Sequence, residues 1–144
     1  MGLRPWLAFF LRARSVAFLV RFDIGVPRYR SVDSALQSAR EAGTVRRVSV
    51  VGVSGAGKTT LGRRLAARLD VPHVELDSIF HQPGWQELDR EEFRRRVADA
   101  VAGDGWVVDG NYSVVQDLVW ARADTVVWLD LPRPLVMRRV VART

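Results

Sequence analysis

From Arg46 onward, short valine-containing runs alternate with longer stretches whose apolar positions recur every three or four residues. The runs Val48–Val51, Val71–Leu76, Trp106–Asp109 and Thr125–Leu129 read as strands, and Lys58–Leu69, Glu87–Val101, Ser113–Ala121 and Pro134–Ala142 read as helices. Leu61, Leu65 and Leu69 fall on one face of the first helix. Strands alternating with helices predict an α/β fold with a parallel sheet and right-handed crossovers. The valine-rich strands do not alternate with polar residues, as expected of strands covered on both faces. No internal repeat or low-complexity segment interrupts the pattern.

Residues 1–45 follow a different pattern and are expected to be a basic N-terminal extension, with residues 46–144 as the core. Met1–Phe22 carries Arg4, Arg12, Arg14 and Arg21 and no acid. Its apolar stretch, Trp6–Leu11, is broken by Arg12 and has no small-residue cleavage pattern after it, which argues against a secretory signal. A basic amphipathic surface helix or a locally packed segment are the other readings. Ser31–Ala42 is predicted to be a helix, with Val32, Ala35, Leu36 and Ala39 on one face and Gly43 as its C-terminal cap.

Composition narrows the class. The 144 residues are 48% hydrophobic and 26% charged, which is globular rather than disordered. No apolar run approaches the roughly eighteen residues of a membrane span. With no cysteine, thiolate metal sites and cysteine nucleophiles are excluded, and a cytoplasmic location is the expectation. The net charge of +6 is concentrated in the first 45 residues, so nucleic-acid binding does not follow from charge alone. Of the 22 basic residues, Lys58 is the only lysine.

That lysine lies in Gly52-Val-Ser-Gly-Ala-Gly-Lys-Thr59, which fits G-x-x-x-x-G-K-[ST] between a strand and a helix. Glycines allow the tight turn that points successive N–H groups at phosphate oxygens, and the helix adds its positive end. Gly52, Ser54, Gly55, Ala56, Gly57, Lys58, Thr59 and Thr60 are the candidate nucleotide-binding residues. Lys58 would neutralise β- and γ-phosphate charge, and the Thr59 hydroxyl would bind Mg²⁺. No N-K-x-D base-reading motif is present, which argues against a GTPase.

Asp109, closing the third strand, is a candidate outer Mg²⁺ ligand, with a turn cap as the alternative. Asp77, read at the end of the second strand, could deprotonate an acceptor hydroxyl, or simply cap a helix. Phe80, His81 and Trp85 could form an aromatic wall for a flat acceptor such as a nucleoside; the alternatives are core packing for Phe80 and Trp85, and an acid, a base or an ordinary surface residue for His81. His73 is expected to pack. Arg139 and Arg143, four residues apart on the last helix, could stabilise a transferring phosphoryl group, or be ordinary surface charge.

The phosphate loop, Glu75-Leu-Asp77, Gln82-Pro-Gly-Trp85, Val107-Val-Asp-Gly-Asn-Tyr112 and Asp124–Pro132 together resemble the adenylate-kinase-like P-loop kinases. They are most similar to small bacterial proteins described as DNA topology modulation or adenylate kinase-related. The resemblance implies a three-layer fold with strand order 2-3-1-4, ATP and Mg²⁺ as cofactors, Asp109 as the magnesium-associated aspartate, and Arg139 and Arg143 as arginines leading into a lid. The segment Asp109-Gly-Asn-Tyr-Ser113 has no arginine where AMP kinases hold the AMP phosphate. The sequence stops at Thr144, where that family's lid and fifth strand begin, so this strand is expected to be missing. As an alternative, Ser15–Phe22 could pair into the vacant edge. The function expected is phosphoryl transfer from Mg-ATP to a small nucleoside- or nucleotide-type acceptor. The competing readings are a weakly hydrolysing nucleotide-binding module, with DNA as a partner, and an impaired kinase fragment.

Overall fold

A computed structural model describes residues 18–23, 45–52, 57–130, 137–138 and 141–142. In chain order its elements are β1 (Phe18–Asp23), β2 (Arg47–Gly52), α1 (Lys58–Leu69), β3 (His73–Glu75), α2 (Leu76–Phe80), β4 (His81–Gln82), β5 (Gln86–Glu87), α3 (Arg90–Ala100), β6 (Trp106–Asp109), α4 (Ser113–Trp120) and β7 (Thr125–Asp130). Among the described residues, no helix is long and apolar enough to cross a membrane.

The main sheet has five strands in the order β1-β7-β2-β6-β3, and every pairing within it is parallel. Counted from β2, its last four strands follow the expected order 2-3-1-4. The edge beyond β7, expected to be vacant, carries β1, which runs in register from Phe18 opposite Thr125 to Asp23 opposite Asp130. The N-terminal strand of the alternative reading is therefore the arrangement observed, shifted toward Asp23. The predicted helix at Ser31–Ala42 lies outside the described residues. Because β1 completes the sheet beside β7, deleting residues 1–30 should lower the melting temperature by about 5 °C or more, equivalent to about 1–2 kcal/mol in a domain of this size. An unchanged thermal unfolding curve would remove β1 from the sheet.

Strand pleating sorts the side chains into two cores. Val48 and Val50 of β2, Val107 of β6 and Val127 and Leu129 of β7 pack with Leu61, Leu65, Ala66 and Leu69 of α1. On the opposite face Val51, Trp106, Val108 and Val126 pack with Phe93 and Val97 of α3 and Val115, Val119 and Trp120 of α4. This double coverage is why the strands read as continuous valine runs. The same parity places Asp109 on the α1 face, beside the phosphate loop.

Two boundaries differ from expectation. The second strand ends at Glu75, and Leu76–Phe80 turns into a one-turn helix followed by the β4–β5 hairpin. α3 begins later than predicted, at Arg90, because Asp89 caps it by accepting from the backbone N–H groups of Glu91 and Glu92.

Candidate active site

The phosphate loop leaves β2 at Gly52 and enters α1 through Gly57, whose φ of 88° suits glycine at that bend. Ser54, Gly55 and Ala56 lie outside the described residues. Gly52 is buried, and Thr60 sits exposed on the first turn of α1. Lys58 is half-buried, and its Nζ donates to the Gly52 carbonyl at 2.8 Å. Burial lowers its pKa from the usual 10.5, while the charges of Asp77 and Asp109 pull it back up. That opposition brings Lys58, Asp77 and Asp109 together as one electrostatic group.

Asp109 is only 3% exposed. The Thr59 hydroxyl donates to its Oδ1 at 3.3 Å, and His73 Nε2 lies 2.5 Å from its Oδ2. His73 therefore does more than pack: it holds the carboxylate from the neighbouring strand, where Glu75 sits opposite Asp109 in the ladder. Gly62 makes room for the pair, because a Cβ there would come within 2.8 Å of His73 Nε2 and 3.2 Å of Asp109 Oδ2. With its proton on Asp109, the Thr59 oxygen keeps lone pairs for a cation. Among the described residues no cluster of three or more histidines or carboxylates could hold a metal. The hard oxygen donors of Thr59 and Asp109 fit a cation such as Mg²⁺, which takes its other ligands from phosphate and water.

Asp77 lies in the first turn of α2 rather than at a strand end. It is exposed, and its Oδ1 accepts the Tyr112 hydroxyl proton at 2.5 Å. Burial, reinforced by the Asp77 carboxylate, raises the Tyr112 pKa well above that of an ordinary phenol. Tyr112 packs against Phe80 and Phe93, with ring centroids 5.0 Å and 5.2 Å away. Arg94 ties α3 to α4 beside these rings through two hydrogen bonds to Asp117, at 2.7 Å and 2.9 Å, and one to the Val114 carbonyl. Phe80 meets His81 at 5.1 Å, and His81 meets Trp85 at 5.8 Å. A row of rings thus leads from Tyr112 outward. Trp85 ends it 85% exposed, which excludes the core-packing alternative for that residue. Its φ of 59° places a bulky residue in the left-handed region, a local cost of about 1–3 kcal/mol.

Asn111 closes the arrangement by hydrogen bonding to both backbone groups of Gly52. The structure thus brings Lys58, Thr59, Asp77 and Asp109 to one sheet edge, whereas Arg139 and Arg143 lie outside the described residues. The sequence reading missed Asn111, Tyr112 and the role of His73. The first two follow Asp109-Gly110 directly, which was the available signal; His73 needed the strand register.

A parallel sheet of this order, with a phosphate loop after its central strand and carboxylates at the same edge, defines a P-loop kinase fold. The family model for shikimate kinase matches residues 54–144, and the chain belongs to that family. A shikimate kinase from Corynebacterium glutamicum is 33% identical over 64% of this chain and 62% of its own length. A cytidylate kinase from Pyrococcus horikoshii is 29% identical over 67% of this chain and 56% of its own length. A gluconokinase structure from Sinorhizobium meliloti 1021 aligns with a TM-score of 0.51 at 23% identity, covering 70% of this chain and 66% of that one, and shows the shared fold. The chain spans between half and two thirds of the length of the first shikimate kinases it matches, 62% and 55%. The resemblance to adenylate-kinase-like kinases thus holds at the level of the fold, and the matching family is shikimate kinase rather than the DNA topology modulation proteins.

Proposed function

We propose that the protein transfers the γ-phosphoryl group of ATP to a hydroxyl of a small acceptor. The observation that carries this reading is the convergence of Lys58, the Thr59–Asp109 pair and Asp77 at one edge of the sheet. Thr59 and Asp109 would hold Mg²⁺, whose charge offsets that of the phosphate oxygens. Lys58 moves from the Gly52 carbonyl to the phosphates. Asp77 keeps Oδ1 on Tyr112 and accepts the acceptor's proton on its other oxygen. The acceptor oxygen then bonds to the γ-phosphorus as the bond to the bridging oxygen of ADP breaks.

The relatives' names make shikimate the first acceptor to test and cytidine nucleotides the second. The exposed ring of Trp85, with the half-buried ring of His81 beside it, suits the face of either a carbocycle or a base. A cytoplasmic setting, where ATP is at hand, belongs to the same proposal. No described residue favours a DNA partner, because the segment that suggested one lies largely outside them.

The test is transfer from labelled ATP to a panel containing shikimate, gluconate, nucleosides and nucleoside monophosphates. Transfer by the wild type no higher than by Lys58→Ala would refute the proposal. Asp77→Asn keeps the shape and the Tyr112 partner but removes the base, and should lower kcat by about 10²-fold with little change in ATP affinity. A kcat within a factor of a few of the wild type would take the base role from Asp77.

A further inference from the structure

The Gly52 carbonyl is the last acceptor of β2 before the phosphate loop, and two donors converge on it. Lys58 Nζ reaches it at 2.8 Å and Asn111 Nδ2 at 2.6 Å. Asn111 Oδ1 in turn accepts from the Gly52 N–H at 3.2 Å. One amide side chain therefore pairs with both backbone groups of a single residue, as a neighbouring strand would.

The backbone cannot supply this pairing itself. The β2–β6 ladder ends where Val50 faces Asp109, and its last backbone bond runs from Gly110 N–H to the Val50 carbonyl at 3.2 Å. Gly110 then turns the chain with a φ of 134°, at a place where a Cβ would lie 2.9 Å from Leu76 Cβ. The Asn111 side chain extends the ladder by one residue past the point where the backbone leaves it.

We propose that Asn111 is a positioning residue for nucleotide binding: it keeps the Gly52 carbonyl partnered, so that Lys58 can leave that carbonyl for phosphate. The inference rests on the proposed role of the phosphate loop. A buried carbonyl stripped of its donors costs about as much as a lost hydrogen bond. With Asn111 in place, the departing ammonium gives up one of two bonds to Gly52 and orphans nothing. Without Asn111, Lys58 is the carbonyl's remaining side-chain donor among the described residues, and the phosphate must compete for it. The same amide fixes the entry of the loop, because it holds the Gly52 N–H as well.

The experiment measures ATP affinity by calorimetry, in the presence of Mg²⁺, for the wild type, Asn111→Ala and Asn111→Leu, each well below its own melting temperature. Leucine is close to asparagine in size and shape but offers the carbonyl no donor and adds no charge, so it carries the test if the alanine variant does not fold. Each variant should bind ATP about tenfold more weakly. The same substitutions are repeated in a Lys58→Met background, where no ammonium has to be released and the further loss should disappear. A merely structural asparagine would lower stability equally in both backgrounds and leave no such coupling. Unchanged affinity, or a loss of equal size in both backgrounds, overturns the proposal. If the wild type binds no ATP, the phosphate-loop reading itself fails and takes this one with it.

Discussion

Replacing Lys58 with alanine should reduce phosphoryl transfer by about 10³-fold or more while leaving the melting temperature close to that of the wild type. The ammonium, held on the Gly52 carbonyl, feels the charges of two carboxylates, Asp77 and Asp109. Removing it deletes an attraction for the β- and γ-phosphates and leaves both negative charges facing them. Lys58→Arg should recover little, because a planar guanidinium does not fit a place shaped for a compact ammonium. The alkaline limb of kcat/KM carries a second signature. Burial lowers the Lys58 pKa below 10.5 in the free protein, so the ammonium is lost, and transfer falls, at a lower pH than an ordinary lysine would give. The stability linkage has the opposite sign. The unfolded chain holds this proton more tightly, so the lysine's contribution to stability rises with pH between its folded and unfolded pKa values. Because Lys58 is the only lysine, an amine-directed label can reach only this side chain and the amino terminus, and the labelling of Lys58 that ATP prevents reads its occupancy. Transfer by Lys58→Ala within tenfold of the wild type would remove the lysine from the chemistry.

How legible these features were depended on whether their cause was local. α1 was readable to the residue, since Leu61, Leu65 and Leu69 mark its buried face and Gly57 and Asp70 bound it in left-handed conformations. β6 was equally plain, because Trp106–Asp109 is buried throughout. The phosphate loop declared itself through glycine spacing. The features that escaped depend on register between distant segments. Asp109 meets His73 only because β3 pairs with β6 and Gly62 leaves room on α1. Asn111 reaches Gly52 only because Gly110 turns the chain where the ladder ends. Asp77 looked like the end of a strand because Val71-Pro-His-Val-Glu-Leu76 leads straight into it with a strand-like pattern, yet pairing stops at Glu75. An edge strand such as β1 leaves little local signal, since its place is set by β7, about a hundred residues away.

The largest stability effect is expected at Trp106. It opens β6 with 1% of its surface exposed, among Phe93, Val97, Val101 and Val119 of the α3–α4 core. Its indole N–H donates to the Val101 carbonyl at 3.1 Å, holding the C-terminal end of α3 against the sheet. Trp106→Ala leaves a cavity worth about 3–5 kcal/mol and also strips that carbonyl of its donor. The melting temperature should fall by about 10 °C or more. Trp106→Phe fills most of the volume and should cost about 1–2 kcal/mol, chiefly for the lost hydrogen bond. Chemical denaturation measures both, and a loss below about 1 kcal/mol for the alanine variant would contradict the packing argument. Asp109 lies at the other end of the same short strand and points to the α1 face, whereas Trp106 packs on the opposite one. Activity per folded molecule should therefore survive at low temperature even as the folded fraction collapses on heating, which separates the core's contribution from that of the site it carries.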